Sequence, residues 1–190
     1  MNIKALLKVF RLRIAPITNL NRNLSCGFLF ILALQTIYLK VHTTTAYWNL
    51  FQQQNPEFKN LPEPSSFYYG DNKKVADECA GLVINKIKQA TSPSMWWFKK
   101  NNEPLPQAGD LAIVTDWDGI PKAIVKTIQV EIVKFRDISP EYARIEGEGD
   151  GSLAYWKKEH WNYYTNEMKA FGEYPTEEME IVCEYFETIG

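Results

Sequence analysis

The sequence predicts an α+β fold, a small curled sheet flanked by helices, in a single domain that follows an N-terminal hydrophobic leader. Three observations predict it. The segments that read as strands are interrupted by helices of unequal length, without the regular alternation of a βαβ protein. The composition is globular, 45% hydrophobic and 14% aromatic, enough for one core within 190 residues. The first 46 residues differ in kind from the rest, with six basic groups (Lys4, Lys8, Arg11, Arg13, Arg22, Lys40) and no acidic one.

Within that leader, Leu24 to Leu39 runs 16 residues without a charge. A bilayer crossing needs roughly 20 residues, so the run fits the apolar core of an export signal better. Thr44-Thr45-Ala46 supplies small residues near a cleavage point. An uncleaved membrane anchor and an upstream extension from a misassigned start are the competing readings, and Gln35 and Lys40 weigh against cleavage. The expectation is a leader over 1–46 and a domain over 47–190. The protein is then exported (periplasmic or secreted) or membrane-anchored, with membrane contact through the leader only, and cytoplasmic if the leader is an artefact of the start.

In the domain, Trp48, Leu50 and Phe51 share one apolar helical face, ended by the Asn55-Pro56 step. Pro56–Ser66, with three prolines, reads as an extended loop. Asp71 suits the N-cap of a second helix, along which Val75, Cys79, Leu82, Val83 and Ile87 recur at helical spacing. Thr91-Ser92-Pro93-Ser94 breaks the chain. Met95-Trp96-Trp97-Phe98 then reads as extended, with Trp96 and Trp97 on opposite sides and one of them facing a pocket.

Leu111–Thr115 and Ala123–Val133 are rich in β-branched residues and are joined through Asp118-Gly119, a hairpin signal; Gly109-Asp110 before them is a turn. Ser139-Pro140-Glu141 starts a short helix with Pro at its first position. Glu146-Gly-Glu-Gly-Asp-Gly-Ser152 is a glycine-broken loop that opens a helix from about Leu153 to Phe171, and Ile181–Ile189 alternates like a closing strand.

Charge narrows the function classes. Beyond residue 46 the chain keeps 15 of its 21 Lys and Arg against all 23 Asp and Glu, a net of −8. Sequence-blind binding of a long polyanion rests on many Lys and Arg contacts to phosphate, so that mode is disfavoured unless the basic groups converge on one cleft. Cys79 and Cys183 read as buried small hydrophobes rather than a disulfide, and with His42 and His160 they form no zinc spacing.

Three constellations carry chemistry. Lys88 and Thr91 lie three apart where helix gives way to strand, so both can point at one pocket. A lysine whose pKa burial has lowered can take a proton from a hydroxyl and make Thr91 a nucleophile. On this segment alone a solvated lysine at a helix C-terminus is the stronger reading. Glu146, Glu148 and Asp150 can bind a cation, orient Lys88 or accept from a base edge; the plainer reading is an exposed turn with Asp150 or Ser152 as N-cap. Their spacing is not that of an EF-hand. Among the aromatics, which can stack on bases, Trp156 and Trp161 read as core, and His160 as a surface helix histidine.

Phe67-Tyr-Tyr-Gly-Asp71, the helix to Lys88-Gln-Ala-Thr91, Glu103-Pro-Leu-Pro-Gln-Ala-Gly-Asp110 and Glu146-Gly-Glu-Gly-Asp-Gly-Ser-Leu-Ala-Tyr-Trp156 follow the order of segments in ASCH domains. Over about Tyr47–Glu187 the chain resembles that family. The resemblance implies a PUA-like β-barrel with a helix-flanked cleft, and partners among RNA, nucleotides and modified nucleosides. Some members resemble ribonucleases. A smaller bacterial branch deacylates N4-acetylcytidine with a lysine, a threonine three residues on and a glutamate.

Lys88, Thr91 and Glu148 match that catalytic set, and Ser152 falls where the larger branch has a serine beside the cleft. Glu146, Asp150 and Trp96 join Ser152 as substrate-binding candidates. Two positions depart from the pattern: the glycine two residues before the lysine is Lys86, and the arginine two after the threonine is Pro93. The expectation is a hydrolase of RNA or of a modified nucleoside, or a non-catalytic nucleotide or small-ligand binding module, with neither metal nor cofactor.

Overall fold

A computed structural model describes residues 42–190. The expectations for the leader up to residue 41 lie outside the described residues.

Helix α1 (Thr44–Gln54) starts from Thr43, whose side chain accepts from the Ala46 amide. It buries Trp48 and Phe51 against Ile113 and Ile124 and leaves Leu50 exposed. Fully burying a side chain of this size stabilises by about 1.5–3 kcal/mol, so two such anchors suffice to dock a short helix. The proline-rich stretch that reads as loop contains a 3-10 turn at Pro56–Phe58 and ends in strand β1 (Ser65–Phe67). Three residues paired with a distant strand leave no periodic signal.

Helix α2 (Lys73–Ile84) is capped by Asn72, not Asp71: the Asn72 side chain accepts from the Val75 amide at 3.1 Å. It buries Ala76, Cys79, Ala80 and Val83, while Ile87 lies beyond its end and is exposed. The two-residue strand β2 (Ala90–Thr91) follows. Met95-Trp96-Trp97-Phe98 is helical, not extended, and forms α3 (Met95–Asn101). Ser94 caps it by accepting from the Trp97 amide, a local bond that outweighs the β preference of the aromatic run. Strands β3 (Leu111–Thr115) and β4 (Pro121–Lys134) form the expected hairpin. Helix α4 (Pro140–Glu146) starts at Ser139, helix α5 (Leu153–Lys169) starts at Ser152, and β5 (Glu180–Thr188) closes the chain.

The sheet runs β1-β3-β4-β5-β2, parallel between β1 and β3 and antiparallel elsewhere. The start of β4, to Lys126, pairs with β3, and from Val125 onward the strand pairs with β5. A register shift between Thr127 and Gln129 lies near the change of partner, and such a bulge bends a strand. Residues from both edge strands, β1 and β2, reach one cleft. Flanking it, α2 packs on the sheet through Val83 against Val114, Val125 and Phe186, and α5 packs through Trp156 and Tyr164 against Phe135, Ile181 and Cys183. Cys79 and Cys183 are buried free thiols, each pushed up to about 12 chiefly by burial.

Candidate functional site

The glycine-broken loop builds the site by close approach. Gly147 has φ +71, and a Cβ there would sit 2.4 Å from the Ile87 carbonyl oxygen. Only glycine lets residues 146–148 lie on the backbone just before Lys88, and the Gln89 amide ties the segments by donating to the Ile145 carbonyl at 3.0 Å. Gly149 leaves equivalent room for the Tyr155 ring, 2.3 Å from where its Cβ would be.

Glu146 and Glu148 consequently flank Lys88. The Lys88 Nζ donates to Glu146 at 3.0 Å and to Glu148 at 2.5 Å, and the lysine is 1% exposed. A solvated helix-end lysine is therefore excluded. The expected base is corrected as well: burial alone would push the ammonium pKa down, but the two carboxylates outweigh it and hold it above the ordinary lysine value. Lys88 is a fixed cation.

Glu146, also 1% exposed, accepts from Ser92 Oγ at 2.7 Å and from Trp156 Nε1 at 2.5 Å, besides Lys88. His160 Nε2 lies 3.4 Å away. Burial would raise its pKa, yet Lys88 and His160 hold it below the ordinary carboxylate range. His160 is thus no surface histidine. It is 12% exposed and stacks on Trp156 at 4.1 Å. The Trp156 carbonyl, 2.9 Å from Nδ1, can only accept, so Nδ1 carries a proton, and protonation of Nε2 would turn a second N–H toward the carboxylate. Burial opposes that charge, but Glu146 outweighs it and raises the imidazole pKa. The spacing Trp156, His160, Tyr164 marks a buried helical stripe and could have revealed the histidine. Ser92 and Tyr142 carried no such signal. The Tyr142 hydroxyl donates to the Thr91 carbonyl at 2.7 Å and lies 2.9 Å from Ser92 Oγ.

Glu148 is the more open of the two. At 22% exposed it lines a cleft of about 940 Å³ together with Thr91, and the Cys79 thiol donates to it at 3.5 Å. Tyr68, Tyr69, Trp97, Phe98, Tyr155 and Tyr163 supply aromatic wall. Among the described residues eight carboxylates line the cleft and no lysine or arginine does. Among the described residues the Tyr69 hydroxyl is the one buried side-chain polar atom without a hydrogen-bond partner.

The other sequence-derived candidates lie elsewhere. Ser152 caps α5 by accepting from the Tyr155 amide at 3.1 Å, and Asp150 accepts from the Ser152 amide at 2.8 Å. Neither is among the cleft-lining residues. Trp96 bonds Glu173 through Nε1 and packs on Phe171, whereas its helical neighbour Trp97 reaches the cleft. Among the described residues no group of three or more His, Cys, Asp and Glu is arranged to hold a metal ion.

The ASCH domain model matches residues 65–190. The chain belongs to the ASCH domain family. It is similar to the ASCH domain of Lactobacillus crispatus, with 29% identity, 76% of this chain and 92% of that chain covered and a TM-score of 0.72. It is also similar to protein EF3133 of Enterococcus faecalis, with 28% identity, 74% and 86% covered and a TM-score of 0.67. A search of curated proteins finds no match. ASCH domains have a PUA-like α+β fold and are generally associated with RNA binding. In this ASCH domain the left-handed φ of +58 at Lys86 explains why a glycine suits that position.

Proposed function

We propose that this ASCH domain binds a modified nucleoside of little negative charge and hydrolyses an acyl group on its base. The observation that carries the reading is Glu148, held by the buried Lys88 ammonium, lining with Thr91 an aromatic cleft to which no described lysine or arginine contributes. A phosphodiester chain held by many phosphates would meet carboxylates there. A nucleoside can instead lay its ring on aromatic wall.

With Lys88 charged, the roles redistribute. Glu148 is the base that takes a proton from water, and the Thr91 hydroxyl positions that water. The ammonium supplies a fixed positive field for the developing oxyanion, where preorganised charge is most effective. The Tyr142 bond to the Thr91 carbonyl holds the short strand that presents Thr91. Pro93, where the deacylating branch has an arginine, also lines the cleft. Substrate anchoring must then come from the aromatic walls.

The test incubates the purified full chain with N4-acetylcytidine and with a short RNA, beside Glu148→Gln. Deacylation without RNA cleavage is expected, with kcat in the variant reduced about 10²-fold or more. Nucleoside binding without turnover would leave a binding module, and cleavage of the RNA would overturn the choice of substrate.

A further inference from the structure

A leaving amine needs a proton, and a carboxylate other than the Glu148 base can supply it. A second carboxylate stands across the sheet. Glu184 of β5 is the direct cross-strand partner of Thr91 of β2. Residues so opposed in an antiparallel pair carry their side chains on one face, with Cβ atoms roughly 4.5–5.5 Å apart. Both line the cleft. Glu184 Oε1 accepts from Thr127 Oγ1 of β4 at 2.5 Å, and among the described residues no lysine, arginine or histidine pairs with it.

Tyr69 connects this residue to the charged pair. Its ring lies 4.9 Å from the Lys88 ammonium and stacks on Phe186 of β5 at 6.3 Å, and it feels the charges of both Lys88 and Glu184. Its hydroxyl is buried and unpartnered in the cleft wall. Buried polar groups are otherwise satisfied, so an orphaned phenol marks where a ligand's polar atom belongs.

We propose that Glu184 is the general acid of this site, an assignment that rests on reading the cleft as an acyl hydrolase, and that the Tyr69 hydroxyl bonds the polar edge of the bound base beside it. The environment suits the role. Burial pushes the Glu184 carboxyl above its ordinary value, the Thr127 bond opposes this, and Asp110 facing it adds to the rise. Glu148 is tied to a cation and Glu184 to none. Two carboxylates in environments so unlike divide into base and acid.

The step balances. Water oxygen bonds to the acyl carbon as its proton passes to Glu148. The tetrahedral adduct then breaks its C–N bond as the Glu184 proton moves to the departing nitrogen. The products are a carboxylic acid and the free base amine, and solvent returns both glutamates to their starting states.

The experiment compares full-length protein with Glu184→Gln and Thr127→Val on N4-acetylcytidine and on p-nitrophenyl acetate, whose leaving group needs no proton. Glu184→Gln is expected to lower kcat on the amide about 10²-fold, to stay within about twofold of wild type on the ester, and to abolish the alkaline limb of kcat/KM. Thr127→Val should move that limb to higher pH, because it removes a bond that favours the carboxylate. Equal losses on both substrates, or an alkaline limb that survives in Glu184→Gln, would overturn Glu184 while the acyl-hydrolase reading stands. Failure of the wild type on both substrates would overturn that reading and Glu184 with it.

Discussion

The two carboxylates beside Lys88 are two residues apart in the chain and opposite in character. Glu146 lies in the cleft wall at 1% exposed and is saturated by Lys88, Ser92 and Trp156, with the His160 imidazole beside it. Glu148, 22% exposed in the same cleft, shares the same ammonium, and among the described residues its other hydrogen bond comes from the Cys79 thiol. A buried carboxylate with every partner in place holds a structure together, because any change strands a charge. A carboxylate with room beside it can change its protonation during a reaction. The inner side is therefore scaffold and the outer side is site, although one lysine serves both.

Replacing each glutamate in turn breaks this comparison most sharply. Glu146→Gln leaves the buried His160 and Lys88 undercompensated and should cost about 3–5 kcal/mol. Glu148→Gln, at the cleft surface with Glu146 still pairing Lys88, should cost roughly 1 kcal/mol while lowering kcat about 10²-fold or more. Urea unfolding of the two variants measures both. Equal destabilisation would mean that the outer glutamate is scaffold too.

The protonation of His160 sharpens the comparison from the inner side. Its folded pKa is raised by Glu146, so its contribution is fully present below the ordinary histidine value near 6.5 and is lost as pH rises through the folded value. Stability should decline across that window, and His160→Phe should flatten the decline. An unchanged pH profile in the variant would show that the imidazolium contributes nothing.

What the sequence revealed of this arrangement follows the range of each interaction. Ser139 and Ser152 cap their helices through the amide three residues on, and Asp118-Gly119 turns a hairpin; such signals lie within a few residues and are readable. The Lys88–Glu146 bond joins positions 58 apart, and Ser92 reaches Glu146 across 54. No local pattern contains those pairings. Lys88, Thr91 and Glu148 were legible only through resemblance to a family whose segments occur in this order. His160 and Trp97 went astray for a local reason: the first sits on a stripe masked by flanking charges, and the second belongs to an aromatic run that a serine cap makes helical.

Lys86 provides the smallest effect and isolates the backbone beneath the site. Its φ of +58 holds an L-residue in the left-handed region, costing about 1–2 kcal/mol. Its carbonyl accepts from Gln89 Nε2 at 2.7 Å, a bond that survives substitution because only backbone is used on that side. Lys86→Gly relieves the strain but adds unfolded-state entropy worth about 0.5–1 kcal/mol, so the net gain should be near 0.5 kcal/mol, or about 1–2 °C in Tm. Turnover should not change, because the turn already delivers Lys88 to Glu146 and Glu148 and the glycine only makes that geometry less costly. A fall in Tm would instead mean that the Lys86 side chain contributes more than its backbone strain removes.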